Sequence, residues 1–121
     1  MKLFLIDSIS SVTQEMRDQL VVTGSHGGIS AAHLALAHPP RLVAFNDAGG
    51  GLDAAGVAAL RVLNDAGVAA CTVSHASARI GEAASTLATG RITAVNDLAK
   101  SFGVHAGEAM SVVVERLRER S

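Results

Sequence analysis

The 121-residue chain carries 10 Lys and Arg against 11 Asp and Glu, a net charge of −1, and only 2% aromatics with neither Trp nor Tyr, so it offers DNA or RNA neither an electrostatic footprint nor a stacking platform. With 49% hydrophobic residues, 17% charged residues and only 2 prolines, it is not a disordered chain, a mucin-like stalk or a collagen-like fibre. A chain of this length buries about two-thirds of its extended surface, enough for one core, which predicts a single domain over residues 1–121.

The first apolar run, Leu3–Ile6, has one Lys before it and meets Asp7, so it suits a buried strand and falls far short of a signal peptide or a membrane span. Residues 8–18 are close to the shortest length that can cross over between parallel strands, which leaves the direction of the first strand open. Ser11 and Gln14 have capping-box spacing, predicting a helical turn or two from Val12. QLVVT (residues 19–23) is a second strand, ended by Gly24, and GISAAHLALAH (28–38) is a helix closed by Pro39 and Pro40. RLVAF (41–45) is a third strand, running into Asn46, Asp47 and three glycines.

Asp53 can N-cap a helix over residues 54–66, and Gly67 stands where its C-cap would be. VAACTV (68–73) is the fourth strand. Cys71 within it is the only cysteine, so one chain can form neither an internal disulfide nor a thiolate metal cluster, and a cytoplasmic location is expected. Beyond it, residues 82–88 suit a short helix, Ile92, Val95, Ala99 and Phe102 share a helical face, and Met110, Val113, Val114 and Leu117 mark a last helix. Arg116, Arg118 and Arg120 interleave with Glu115 and Glu119 as on a solvated face. Continuous apolar strands alternating with helices predict a small three-layer, Rossmann-like α/β domain, with a mainly parallel sheet of about four strands and helices on both faces.

In such a sheet, ligands bind beyond the carboxyl ends of the strands. The second strand delivers Gly24-Ser25-His26-Gly27-Gly28 there, the third Asn46 and Asp47, and the fourth Ser74, His75, Ser77 and Arg79, with Asp7 and Ser8 joining if the first strand is parallel. A glycine turn between strand and helix aims free amides at an anion, which makes Gly24, Gly27 and Gly28 candidate binding residues, together with Asn46, Ser74 and Ser77. Arg79 would add a bidentate fork for a carboxylate or phosphate. His26, Asp47 and His75 form a set suited to acid–base work, with Ser25 donating to an oxyanion or attacking. The same set could be a two-histidine one-carboxylate metal site, but no HxH or HExxH spacing supports it. His33, His38 and His105 read as a helix-face, a helix-end and a loop residue.

VVTGSHG resembles the phosphate loop of universal stress proteins over that one loop, but Ala37-His38 stands where their second glycine pair belongs, so no family follows. The G-x-S-x-G elbow and the G-K-[ST] ending of a Walker A loop are absent. The expected function is an enzyme acting on a small anionic or carbonyl-bearing metabolite, the other class being a non-catalytic binding or assembly module. No cofactor is specified. The helix over residues 28–38 is apolar around most of its circumference, which a second layer or a second subunit must cover, and a homo-oligomer is expected.

Overall fold

A computed structural model describes residues 1–49 and 57–120. The described residues form a five-stranded sheet in the order β1 (Leu3–Ile6), β2 (Leu20–His26), β3 (Leu42–Asn46), β4 (Ala69–Val73) and β5 (Ile92–Val95). The first three pairings are parallel, which settles the direction of the first strand, and β5 adds to β4 antiparallel. The α/β architecture matches expectation, with one strand more than the sequence indicated.

Strands added always on the same side by right-handed crossovers must place every crossover on one face of the sheet. The packing follows. Two 3₁₀ turns (Ile9–Ser11 and Gln14–Met16), α1 (Ile29–Ala35) and α2 (Ala58–Asp65) bury Ile9, Met16, Ala32, Ala35, Leu60 and Leu63 against Val21, Val43, Phe45 and Ala70. The alternate strand residues Leu20, Val22, Leu42, Ala44 and Cys71 face the other way. There α4 (Asp97–Ser101) and α5 (Met110–Glu119) cover them with Ala99, Met110, Val113, Val114 and Leu117, while α3 (Ala83–Thr89) adds Leu87 at the margin. Strands covered on both faces have no polar side to show, hence their continuous apolar runs.

Several local details depart from the sequence reading. Ser8, not Ser11, caps the first crossover turn, accepting from the Ser10 amide, and the spacing of Ser11 and Gln14 is filled by two separate 3₁₀ turns. α1 stops at Ala35, three residues short of His38, and the chain ahead of Pro39 tightens into a turn in which the Ala37 and His38 amides donate three residues back, to Leu34 O and Ala35 O. α2 ends as expected: Gly67 has φ +83°, its amide donates to Asn64 O at 3.1 Å and the Val68 amide to Leu63 O at 2.8 Å, the paired bonds of a Schellman cap. The described helix begins at Ala58, and Asp53, expected to cap it, lies outside the described residues.

The helical face proposed for Ile92, Val95, Ala99 and Phe102 is a correction: Ile92–Val95 is a strand and only Asp97–Ser101 is helical. The β4–β5 register runs Cys71 to Val95 and Thr72 to Ala94 but then Val73 to Ile92, so Thr93 is the extra residue of a bulge. The bulge turns Ile92 and Val95 toward the same core three residues apart, a spacing that imitates a helix. Arg116 also leaves the solvated pattern, since it makes a two-pronged bond to Glu108 at 2.7 and 3.0 Å and donates to Gly103 O at 2.7 Å.

Asn96, only 6% exposed, joins three elements. Its Oδ1 accepts from the Ala70 and Ala99 amides at 3.1 and 3.0 Å, and its Nδ2 donates to Leu60 O and Val68 O at 3.1 and 2.9 Å. Asn96→Ala strands two buried donors and two buried acceptors, and about 2–4 kcal/mol of stability is expected to go, read as a lower urea midpoint with an unchanged slope. A variant within about 0.5 kcal/mol of the parent would show the hub to be dispensable.

Candidate functional site

Because β2, β3 and β4 are parallel, their carboxyl ends bring Ser25 and His26, Asn46 and Asp47, and Ser74 and His75 to one edge of the sheet. Arg79 follows in the loop after β4. β1 is parallel too, so Asp7 and Ser8 reach the same edge. What each side chain does there differs.

The Asp47 carboxylate has the most partners. Its Oδ1 accepts from the Gly49 amide at 2.9 Å and the His75 amide at 3.1 Å, and lies 3.4 Å from His75 Nδ1; its Oδ2 accepts from Thr93 Oγ1 at 3.0 Å. Burial alone would raise its pKa, but the donated bonds from the Gly49 and His75 backbones and from the Thr93 and His75 side chains outweigh it and hold the carboxyl below its ordinary 3.8. The His75 imidazole is 61% exposed, with Nδ1 turned toward the carboxylate. Gly49, at φ +78°, lies against that ring: a Cβ there would sit 3.5 Å from His75 Cε1.

The chain takes this shape through side-chain turns. Asn46 Oδ1 accepts from the Ala48 amide at 2.8 Å as Asp47 Oδ1 does from that of Gly49, and Ala48 is held at φ +52°, a left-handed conformation that costs a non-glycine residue about 1–2 kcal/mol. Asn46, fully buried, also donates from Nδ2 to Ala78 O at 3.1 Å, so it braces the β4 loop from below. The remaining glycines of this stretch, Gly50 and Gly51, and Asp53 lie outside the described residues.

The glycine turn is shorter than the sequence suggested. β2 continues through Gly24, Ser25 and His26, leaving Gly27 and Gly28 to make the turn, and the left-handed glycines of the described chain are Gly49, Gly67, Gly81, Gly103 and Gly107, so Gly24, Gly27 and Gly28 are not there for positive φ. At Gly24 the reason is a neighbouring backbone: the Gly81 amide donates to Gly24 O at 2.7 Å, and a Cβ on Gly24 would come within 2.2 Å of the Glu82 nitrogen. The Gly27 amide donates to Asn46 O at 3.0 Å. Gly28 takes the N-cap position of α1 without a side-chain cap.

Ser25 Oγ accepts from the Ile9 amide at 2.8 Å, which leaves its own proton to give. His26 is exposed at the end of β2, in register with Asn46. It stands on the other side of β3 from His75, about 10 Å away at two strand spacings, so the structure joins Asp47 to His75 and not to His26. Ser74 Oγ accepts from the Ala76 amide at 3.0 Å, while Ser77 Oγ donates to Ser74 O at 2.8 Å and accepts from the Arg91 amide at 2.9 Å, so both hold loop geometry. Arg79 is exposed, 3.9 Å from Glu82, beside a shallow depression of about 240 Å³ lined by His75, Ser77, Arg79, Ser85 and Thr89. Asp7 Oδ1 accepts from the Ala83 amide at 2.9 Å and so caps α3.

Larger concavities lie elsewhere: about 570 Å³ beside Met1, Leu3 and Val114, about 440 Å³ beside Met1, Leu20 and Leu117, and about 330 Å³ beside Val57, Leu60 and Asn96. They share no residue with the Asp47–His75 pair, whose geometry is the more specific signal. No cluster of three metal-ligating side chains forms among the described residues. Thr93 is the site residue that sequence reasoning missed: a helical reading of its segment pointed it nowhere. Comparison with family models, with curated proteins and with solved structures finds no match.

The depressed Asp47 carboxyl fixes the sign of a pH effect. A group whose folded value lies below 3.8 contributes stability that is fully present above 3.8 and is lost as pH falls through the lower folded value. Asp47→Asn is therefore expected to cost about 1 kcal/mol at neutral pH, a deficit that shrinks on acidification below 3.8. Denaturation midpoints of both proteins across the acid range check this, and a deficit constant down to about pH 2 would contradict it.

Proposed function

We propose that the protein is an enzyme acting on a small anionic or carbonyl-bearing metabolite, by proton transfer or hydrolysis, with His75 as the proton carrier. The Asp47–His75 pair carries this reading. A carboxylate at Nδ1 holds the imidazole in the tautomer whose Nε2 lone pair faces solvent, and steadies the imidazolium once Nε2 has taken a proton. Ser25, with its proton free, is placed to donate to an oxyanion or to attack, and His26 is the second base of the edge. Arg79 and the backbone of Gly24, Gly27 and Gly28 would meet the anionic part of the substrate, with Asn46, Ser74 and Ser77 shaping the loops around it.

A second reading, a binding or assembly module, is favoured by one observation: the depression beside His75 holds only about 240 Å³, and the hydroxyls of Ser74 and Ser77 are engaged within the chain. The two readings part in kinetics. His75→Gln should lower kcat about 10²- to 10⁴-fold with KM nearly unchanged, and Arg79→Lys should raise KM, measured on a panel of small carboxylates, phosphates and acyl compounds. Equal loss of affinity and rate in His75→Gln would favour the module, and a panel without turnover, together with calorimetry without anion binding, would overturn the enzyme.

We also propose that the chain is cytoplasmic and that copies associate through α1. The helix buries Ala31, Ala32 and Ala35 and leaves Ile29 and Leu34 at 55% and 45% exposure. Sedimentation at micromolar concentration is expected to show a species larger than 12.3 kDa that Leu34→Glu dissociates. A monomer throughout would refute it. No helix among the described residues is long and apolar enough to cross a membrane.

A further inference from the structure

The pair at the carboxyl edge has a support that comes from the opposite direction of the chain. Thr93 sits at the bulge of β5, the one antiparallel strand, where the extra residue breaks the alternation of side chains and bulges re-aim them. Its Oγ1 donates to Asp47 Oδ2 at 3.0 Å and lies 3.1 Å from Thr72 Oγ1. A hydroxyl has one proton. Thr93 gives its proton to the carboxylate, so Thr72, fully buried in β4, is the donor in the bond between the two threonines.

The result is a set of contacts that converge on Asp47: Thr72 donates to Thr93 and Thr93 to Oδ2, while His75 Nδ1 stands 3.4 Å from Oδ1 on the other side. The oxygens of Asp47 are divided by it: Oδ2 is occupied by Thr93, and Oδ1 is left for the two amides and the imidazole. A carboxylate held at one end only could rotate about its last bond and bring either oxygen, or neither, to Nδ1. We infer that Thr93, backed by Thr72, is a positioning residue that fixes the plane of the Asp47 carboxylate and through it the Nδ1–H tautomer of His75. The inference rests on the reading of His75 as the proton carrier only for its consequence in catalysis; the tautomer itself is a property of the resting protein.

Nitrogen chemical shifts of the His75 ring in the full chain distinguish a proton on Nδ1 from one on Nε2 without any substrate. The parent and Thr93→Ser, which restores the hydroxyl, are expected to keep Nδ1–H, whereas Thr93→Val should lower the ratio of Nδ1–H to Nε2–H about tenfold. Thr93→Ala repeats the measurement should the valine variant not fold. With an active substrate in hand, Thr93→Val should also lower kcat by about tenfold with KM unchanged and Thr93→Ser should recover it. A shifted tautomer ratio with no turnover in any protein supports the positioning role while the catalytic reading fails. An unchanged ratio in folded Thr93→Val and Thr93→Ala overturns the positioning role, whatever the activity.

Discussion

Four parallel strands laid down in sequence order are the constraint from which the rest of the molecule follows. An open α/β sheet whose strand order reverses has a crevice at the reversal, and ligands use it. Here the order runs β1 to β5 without reversal, so the crossovers share one face, the last three helices must return to cover the other, and the carboxyl edge has no crevice supplied by topology. Any pocket at that edge has to be made by loops. The hydrogen bonds among Asn46, Asp47, Ser74, Ser77 and Ala78 do this, stiffening a surface that the sheet alone would leave flat.

This division of labour sorts the polar residues of the edge. Asn46 and Ser77 spend their groups on backbone partners, and Asp7 spends its carboxylate on the start of α3. Such bonds replace those that water would otherwise make to the loops, and removing one leaves a buried partner stranded. His26, His75 and Arg79 are different, since each presents polar atoms to solvent from a fixed base. Asp47 stands between the two groups: both its oxygens are engaged within the chain, yet one of its partners is a largely exposed imidazole.

The parallel part of the fold was legible because a strand covered on both faces has no polar register to keep, and runs such as RLVAF and VAACTV announce it. Gly67 was legible for a related reason, being a local signal read by a local cap. The failures share a cause of another kind. At Thr93 one extra residue changes the phase of β5, turning a two-residue period into the three-residue spacing of Ile92 and Val95, and nothing in the segment itself distinguishes that from a helix. Gly24 read as a turn residue because glycine usually marks one, whereas its small size is demanded by the backbone of residues 81 and 82, far off in sequence. The dyad was half visible: Asp47 and His75 stood out with His26, but only three-dimensional placement separates the histidine that the carboxylate reaches from the one that it does not.

Cys71 gives this architecture a reporter of its own. The thiol is fully buried in β4, 4.0 Å from Met110 Sδ, and burial pushes its pKa up to about 12. The folded chain therefore presents almost no thiolate to an alkylating reagent, and the sulfur becomes reactive only when the core around β4 opens. With a single cysteine in the chain there is no second site to confuse the signal. The pace of labelling thus counts openings of the core one molecule at a time, and can separate a ligand that merely occupies the carboxyl edge from one that holds the whole sheet closed.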